Sequence, residues 1–283
     1  MTRCGIVALA GRPNVGKSTL LNALVGEHLA IVSPKPQSTR LPVVGLRTDG
    51  DTQFIFTDSP GLLEPEYALH QVMRAAALKA VAEADVILHL HPVTDGPAPA
   101  FTAAAGLDRP PRGPVLTVYT KADLLPPARR PAADGALVIS ATTGEGIAAL
   151  LAAVAARLPQ GPFLHDPDAL AGQPMRFFAA ELAREAAFEL LQEELPYSVA
   201  VEIDEYRENE VPVYIRAILY VERDSQKGIV IGQGGRTIKA IGASARAKIE
   251  TLVGGQIFLD LHVKVMPRWR RQAASLARLG YTS

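Results

Sequence analysis

The residues best suited to chemistry in this 283-residue chain form the run GRPNVGKS, from Gly11 to Ser18. The run matches the pattern G-x-x-x-x-G-K-[ST], in which the backbone N–H groups of a glycine-rich loop wrap phosphates. In such a loop Lys17 reaches the β- and γ-phosphates, Ser18 ligates Mg²⁺, and the following helix adds positive potential at its N-terminus. An ordinary glycine turn would have to match four positions by chance, so the sequence predicts a nucleoside triphosphate site.

Three shorter motifs follow at the ends of apolar runs. DSPG (Asp58–Gly61) supplies an Asp that can hold Mg²⁺ through water and a glycine N–H for the γ-phosphate. TKAD (Thr120–Asp123) supplies an Asp that can accept the N1–H and N2–H of guanine, which adenine cannot offer. SAT (Ser140–Thr142) places the N–H of Ala141 where it can donate to guanine O6. In this order the motifs predict GTP as the nucleotide.

Other groups capable of chemistry are few. Cys4 is the only cysteine, which excludes an intramolecular disulfide and a cysteine-based zinc site. His89 and His91 alternate along an apolar run, so we interpret them as structural residues. No His/Cys/carboxylate cluster has metal-ligand spacing, and no Ser/His/Asp triad is suggested.

The elements that must position these motifs alternate between strands and helices over about the first 158 residues. Apolar runs predict strands, and the segments between them have helical spacing. The predicted strands are 5–10, 54–58, 86–91, 115–120 and 137–140, and the predicted helices are 18–24, 67–82 and 147–158. This alternation predicts an α/β fold, a doubly wound G domain with a mainly parallel sheet, over residues 1–160.

Residues 161–174 are rich in Pro and Gly and are predicted to be a linker. Beyond them the pattern becomes α-β-β-α-α-β. Predicted helices at 176–195, 227–231 and 237–252 combine with strands at 198–206, 213–222 and 257–265. We therefore predict a smaller α+β domain over residues 175–283.

The formal net charge of zero hides an uneven distribution. Residues 225–283 carry 10 basic and 2 acidic side chains, whereas residues 170–224 carry 5 basic and 12 acidic ones. A basic segment of this kind is typical of proteins that bind the phosphate backbone of nucleic acids. Two oppositely charged halves of one solvated face, which neutralise each other within a domain, would give the same charge counts. Within it, Gly232–Gly235 lies between two helical segments, and such a GxxG loop clamps about four nucleotides of a single strand.

Taken together, GRPNVGKS, Thr39, DSPG, TKAD and SAT resemble the translation-factor-like class of G proteins. LPYSVAVEI (Leu195–Ile203), VIGQGGRTIKAIG (Val230–Gly242) and VKV…RW…LGY (Val263–Tyr281) resemble the C-terminal KH domain, of type II, in the Era family of bacterial GTPases. The resemblance runs from about residue 3 to the C-terminus. It implies slow GTP hydrolysis, and assistance to 30S subunit maturation through binding of the 3′ region of 16S rRNA.

The resemblance assigns roles residue by residue. The catalytic residues would be Lys17, Thr39 and Gly61, with Ser18, Thr39 and Asp58 holding Mg²⁺. Ser38, beside Thr39, offers the same chemistry. Asn14 resembles the Asn that binds K⁺ in related GTPases, and its other interpretation is a loop-closing side chain. Residues expected to bind GTP or GDP are Gly11, Asn14, Val15, Gly16, Lys17, Ser18, Thr19, Asp58, Thr120, Lys121, Asp123, Ser140, Ala141 and Thr142.

The RNA-binding expectation covers the GxxG loop and the cations near it. Its members are Lys227, Ile231, Gly232, Gln233, Gly234, Gly235, Arg236, Lys239, Arg268, Arg270 and Arg271. Ile231 and Ile241 are expected to line the base groove, although core packing is the commoner use of isoleucine. The arginines from Arg268 onward are expected to start the last helix and to meet RNA phosphates, while Trp269 is interpreted as a packing residue.

Thr120 and the interior of the GxxG loop depart from the family pattern, and Leu62 differs from many small G proteins. Thr120 replaces the usual Asn, a loss that we expect to remove a polar contact and loosen the loop at about 1 kcal/mol. Leu62 stands where many small G proteins have a water-orienting Gln, which predicts slow intrinsic hydrolysis. The GxxG interior is Gln-Gly without a cation, so the phosphate contact must come from Arg236, Lys239 or Lys227.

Two alternatives remain open at this point. A nucleoside or nucleotide kinase would use the same phosphate loop, and an RNA-binding module with a degenerate nucleotide site would explain Thr120 and Leu62. No apolar run approaches the ~18 residues of a membrane span, so the cytoplasm is the expected compartment. We also expect a monomer. The resemblance adds a peripheral contact with the inner face of the cell membrane, for which the chain offers no amphipathic anchor.

Overall fold

The computed structural model describes residues 1–130 and 136–282, which form two compact units. The first unit contains Met1–Pro65 and His70–Gly172, and the second contains Gln173–Thr282 together with Glu66–Leu69. Ser283, the last residue of the predicted second domain, lies outside the described residues.

The first unit is built around a six-stranded sheet of order β2-β3-β1-β4-β5-β6. Among the described strands of this sheet, only β2 is antiparallel to its neighbour. Its elements are β1 (Arg3–Ala10), α1 (Lys17–Val25), β2 (Val43–Asp49), β3 (Thr52–Asp58), α2 (Ala68–Glu83), β4 (Val86–Pro92), α3 (Phe101–Ala105), β5 (Val115–Thr120), β6 (Leu137–Val138) and α4 (Ile147–Ala155). The predicted α/β fold with a mainly parallel sheet is confirmed.

The central strands carry apolar residues on both faces because helices cover both sides of a parallel sheet. All seven residues of β4 are buried, and six of the seven in β3. Sequence analysis missed β2, an edge strand whose VVGLRTD sequence mixes buried and half-buried positions around a glycine. The loops that follow β1, β3, β5 and β6 open at the carboxyl edge of the sheet, where ligands of such folds bind.

The segment predicted as a linker pairs with the sheet as far as residue 172. The N–H of Leu46 donates to the Leu170 carbonyl at 2.9 Å, and the N–H of Gly172 donates to the Val44 carbonyl at 3.0 Å. The buried side chain of Gln53 adds to this contact, since its Oε1 accepts the backbone N–H groups of residues 164 and 165. This segment therefore lies along β2, the open edge of the sheet.

The second unit packs two long helices on one face of a three-stranded sheet of order β7-β8-β9. Its elements are α5 (Met175–Leu190), α6 (Leu195–Ser198), β7 (Ala200–Arg207), β8 (Val213–Val221), α7 (Asp224–Ile231), α8 (Arg236–Val253), β9 (Ile257–Val265) and α9 (Ala273–Arg278). β7 and β8 are antiparallel, whereas β8 and β9 are parallel and joined through α7 and α8. The predicted α-β-β-α-α-β order of a type II KH domain is confirmed, with α6 and α9 as additions.

The last segment differs from the prediction. The arginines do not start the final helix, because Arg268 adopts a left-handed backbone (φ 51°), Trp269–Arg271 form a 3₁₀ turn and α9 begins at Ala273. Trp269 is fully buried, stacks on Tyr281 and donates its indole N–H to the Ser198 carbonyl at 2.8 Å, which confirms its packing role. Within the described part of the chain, no helix has the length and apolar character needed to cross a membrane.

Candidate functional site

The phosphate loop lies between β1 and α1, with a backbone that its glycines allow. Gly11 has φ 155°, and a Cβ there would lie 2.7 Å from the Leu90 carbonyl oxygen. The Lys17 ammonium folds back over the loop and donates to the carbonyls of Gly11 (3.3 Å) and Arg12 (2.9 Å). Burial lowers the pKa of Lys17 to about 8, and the negative charge of Asp58 opposes this shift. The loop thus holds a poorly solvated cation that a polyphosphate would stabilise.

Ser18, Thr39 and Asp58 meet beside this lysine. The Ser18 hydroxyl donates to Asp58 Oδ2 at 2.7 Å, the Thr39 hydroxyl donates to the same oxygen at 3.2 Å, and the two hydroxyl oxygens are 2.9 Å apart. Burial raises the pKa of Asp58, against the effects of Lys17 and both hydroxyls. The other carboxylate oxygen, Oδ1, is buried without a hydrogen-bond partner among the described residues. The structure therefore brings Thr39, rather than Ser38, to Ser18 and Asp58.

Gly61 follows β3 at a position where no side chain fits. A Cβ at Gly61 would lie 2.7 Å from the backbone nitrogen of Pro13 in the phosphate loop. The N–H of the next residue, Leu62, donates to the Gly11 carbonyl at 3.0 Å, and the Leu62 side chain is buried in an apolar cluster. The loop after β3 is thereby held against the phosphate loop.

The base-recognition motifs lie at the ends of β5 and β6. Thr120 makes a polar contact of its own, because its buried hydroxyl donates to the Val15 carbonyl of the phosphate loop at 2.7 Å. The expected loss of a contact near guanine stays a prediction. Asp123 Oδ1 accepts a hydrogen bond from Ser140 Oγ at 2.6 Å, and this bond is the main cause that lowers the pKa of Asp123. The Thr142 hydroxyl lies 2.9 Å from that of Ser140. Asp123 is therefore held ionised as an acceptor.

A cavity of about 350 Å³ joins the phosphate loop to the segment around Thr39. Its lining includes Gly16, Lys17, Ser18, Thr19, Thr39, Gly61 and Lys121 among the predicted residues. Asn14 also lines the cavity, and its Nδ2 donates to the Pro34 carbonyl at 2.9 Å. In the described conformation the Asn14 amide closes the loop, which was one of the two interpretations of this residue.

In the second unit the GxxG loop joins α7 to α8. Gly232, Gly234 and Gly235 have positive φ values of 71°, 62° and 77°, which explains why glycine fills these positions. Arg236 is held at the loop, since its Nη2 donates to the Gln233 side-chain oxygen at 2.7 Å. Gln233 therefore holds the Arg236 guanidinium beside the loop. Lys227 is half-buried on α7, and Lys239 is exposed one turn after the loop.

Beside this loop, a groove runs between α8 and β9. It is lined by Ile238, Lys239, Gly242, Ala243, Arg246, Ile257, Phe258, Leu259 and Leu261. Sequence analysis assigned only Lys239 of these to RNA. The expectation for Ile241 is wrong, because this residue is fully buried in the helix–sheet core and Ile238 lines the groove instead. In the sequence, the signal for this groove was an aromatic residue, Phe258, on the otherwise polar face of the alternating strand 257–265.

The three predicted arginines after β9 differ from one another. Arg270 pairs with Glu222, with Nη2 and Oε2 2.6 Å apart, and is half-buried. Arg268 and Arg271 are exposed. Arg270 therefore has a structural partner, and the structure brings none of the three into the groove lining.

Comparisons with known proteins match both units. A sequence family described as a 50S ribosome-binding GTPase matches residues 6–121, and a KH domain family matches residues 194–270. GTPase Era of Synechocystis is 39% identical over 99% of this chain and 92% of its own length. GTPase Era of Thermotoga maritima is 40% identical over 95% of this chain and 94% of its own. The chain belongs to the Era family of GTPases.

Solved Era structures agree with this assignment. A variant of Aquifex aeolicus Era, with one tyrosine replaced by alanine and with GDP·AlF4⁻ bound, matches with a TM-score of 0.93 at 35% identity, over 100% of both chains. Era in complex with MgGDPNP and nucleotides 1506–1542 of 16S ribosomal RNA matches with a TM-score of 0.92 over the same coverage. The predictions of an Era-type GTPase and an RNA-binding KH domain are confirmed. The kinase and the RNA-only alternatives are set aside with them.

Proposed function

We propose that this chain is a nucleotide-controlled switch that binds the 3′ region of 16S rRNA and assists maturation of the 30S subunit. The observation that carries the proposal is the meeting of Ser18 and Thr39 on one buried carboxylate, Asp58. Thr39 belongs to the loop that a γ-phosphate orders in G proteins, so its attachment makes that loop responsive to the nucleotide. The similar Era structure contains nucleotides 1506–1542 of 16S ribosomal RNA, which supports this RNA as the partner of the chain.

The family matched by residues 6–121 is described as 50S-binding, whereas the proposed partner is the small subunit. That match covers no part of the KH unit. The Era relatives match nearly the whole chain, including the GxxG loop and the groove beside it. The full-length matches therefore favour the small subunit as the partner.

The residues at the phosphate end fit Mg²⁺. Two hydroxyls converge on Asp58, whose Oδ1 is buried without a partner in the described part of the chain, and hard oxygen donors of this kind suit the ion. Ser18 and Thr39 would hold it directly and Asp58 through water. When bound, Mg²⁺ neutralises charge that develops on the phosphates. Lys17 would bind the β- and γ-phosphates.

Gly61 would donate its N–H to the γ-phosphate. Leu62 offers no polar group to orient water, so hydrolysis by the chain alone would be slow. Slow hydrolysis suits a switch, because the GTP state must last long enough for the RNA to be bound.

The base end would select guanine through Asp123. Its carboxylate would accept the two guanine N–H groups, and the Ala141 N–H would donate to O6. Ser140 and Thr142 hold Asp123 in place, while Lys121, which lines the cavity, would lie beside the nucleotide. Thr120 would act through the phosphate loop by its bond to Val15.

We further propose a K⁺ site at Asn14. The amide now donates to Pro34, so a cation there requires the Asn14 oxygen to turn toward the phosphates. GTP hydrolysis measured in KCl and in NaCl tests this role. Equal rates in the two salts would leave Asn14 as a loop-closing residue.

On the RNA side the GxxG backbone would receive phosphates, with charge from Arg236, Lys239 and Lys227. Arg268 and Arg271 remain candidate phosphate contacts, and the ion pair with Glu222 argues against Arg270. Cytoplasmic location, a monomeric state and a peripheral contact with the membrane stay predictions.

The experiment that tests the switch compares RNA affinity in two nucleotide states. Fluorescence anisotropy with labelled nucleotides 1506–1542 would be measured for the full chain with GDPNP and with GDP. We expect tighter binding with GDPNP. Gly234→Asp and Gly234→Asn form a matched pair of equal size. The Asp variant should bind the RNA at least about ten-fold more weakly than the Asn variant, because its negative charge faces phosphate. Equal affinity in both nucleotide states would overturn the switch.

A further inference from the structure

An exposed aromatic ring stands at one end of the groove in the second unit. Phe258 lies on β9, the edge strand of the sheet, and 56% of its surface is exposed. It lines the groove with Lys239 and Arg246, and it also lines a second depression formed with Val211 and Tyr214. Phe258 therefore lines two neighbouring hollows of the surface.

The Phe258 ring packs on a row of stacked side chains, Tyr214 and then Arg207, that crosses the sheet. Strand register pairs Arg207 with Tyr214 and Tyr214 with Phe258. The Phe258 and Tyr214 rings are stacked with centroids 5.7 Å apart and 10° between their planes, and the Arg207 guanidinium lies 4.7 Å from the Tyr214 centroid. Because β9 is an edge strand, no further strand among the described residues continues this row beyond Phe258.

The supporting side chains are themselves fixed. The Tyr214 hydroxyl donates to Asp260 at 3.0 Å, and Arg207 is ion-paired with Glu205 at 2.7 Å and with Glu210 at 3.0 Å. A ring packed on a fixed neighbour loses little conformational freedom when it binds a partner. These carboxylates also occupy Arg207, so the row supplies stacking rather than a free cation for phosphate.

We propose that Phe258 stacks on an unpaired base of the RNA, adding a fourth layer to the row of Arg207, Tyr214 and Phe258. The proposal rests on the proposed RNA-binding function and extends it to a base beside those that the GxxG loop clamps. Lys239 and Arg246 in the same groove provide charge complementary to the backbone of such a strand. Every base has a flat face, so this contact adds affinity with little sequence preference.

The test uses the full chain with GDPNP and RNA nucleotides 1506–1542. Phe258→Leu keeps an apolar side chain but removes the flat ring, and it should weaken binding about ten-fold. Phe258→Tyr should stay within about two-fold of the parent chain, because it keeps the ring. The slope of log affinity against log salt should not change in Phe258→Leu, since no phosphate contact is lost.

A 2-aminopurine scan of the RNA locates the contact. At one substituted position the 2-aminopurine fluorescence should be quenched by the parent chain and by Phe258→Tyr. At the same position the fluorescence should be higher with Phe258→Leu. If Gly234→Asp abolishes binding while Phe258→Leu matches the parent chain at every position, the stacking proposal is overturned and RNA binding stands. The Phe258 face would then be left to a protein partner. Absence of RNA binding by the parent chain would overturn both proposals.

Discussion

The two sites of this molecule are built in opposite ways. The phosphate end of the nucleotide site is buried, and its charged groups Lys17 and Asp58 are both removed from water. The RNA groove is open, with Lys239 and Arg246 in solvent around a partly exposed apolar floor. One site holds a small ligand through a few strong contacts, whereas the other meets a long polymer through many weak ones.

Because of this difference, single substitutions should have larger effects on ligand binding in the buried site than in the open groove. In a buried site each polar group depends on the others, because an unpaired charge away from water costs several kcal/mol. In an open groove water solvates whatever charge a substitution leaves unpaired, so each exposed charge contact contributes modestly. The predictions below test this contrast, beginning with the largest expected effect.

Lys17→Ala should reduce GTP hydrolysis by more than about 100-fold, because it removes the buried donor to the phosphates. It also leaves Asp58 without its opposing charge, which raises the pKa of that carboxyl further. Phosphate release under single-turnover conditions measures the effect. RNA affinity without nucleotide serves as the control and should match the parent chain; hydrolysis at the parent rate would contradict the assignment.

Thr120→Val should weaken GDP binding about five- to ten-fold. The substitution keeps the shape of the side chain but leaves the buried Val15 carbonyl without its donor, a loss of about 1 kcal/mol or somewhat more. Titration with a fluorescent GDP analogue measures it. Thr120→Ser keeps the hydroxyl and should bind like the parent chain, so equal losses in both variants would refute the role of this hydrogen bond.

Nucleotide affinity should fall about three- to four-fold between pH 7 and pH 8.5. The pKa of Lys17 is about 8 without nucleotide, and a polyphosphate favours the ammonium form, so binding takes up a proton near that pH. The lowered pKa also means that the unfolded chain binds more protons between pH 8 and 10.5, so this group makes stability rise with pH there. Calorimetry in two buffers of different ionisation enthalpy detects the uptake; identical heats would argue against a lowered pKa.

Lys239→Gln should weaken RNA binding only about two- to three-fold at moderate salt, the smallest effect of the series. The loss of one phosphate contact should reduce the slope of log affinity against log salt by about 1. Anisotropy at several KCl concentrations measures both values. A ten-fold loss with an unchanged slope would mean that Lys239 reads a base, and the contrast between the two sites would weaken.

Motif spacing predicted much of the nucleotide site because its residues follow strand ends, where parallel strands bring them together. Sequence alone did not separate Ser38 from Thr39, since both carry hydroxyls and only the path of the loop decides between them. Nor did it reveal that Thr120 reaches Val15, a contact between residues 105 positions apart.

The RNA groove was harder to predict. Ile238 and Ile241 lie three residues apart on one amphipathic helix, and a small rotation decides which of them faces the core. The row through Phe258 depends on the register of three strands, which a single strand pattern does not contain. The phosphate loop was predictable because its chemistry is local in sequence, and the row was not because its partners are distant.

The segment along β2 has a consequence for synthesis of the chain. β2 is the open edge of the first sheet, and its backbone partners Leu170 and Gly172 come more than 120 residues later. An uncovered edge pairs readily with other chains, so the nascent first unit would carry an aggregation-prone strand until that segment leaves the ribosome. The last residues of the first unit would thus protect its sheet from association while the second unit is still being made.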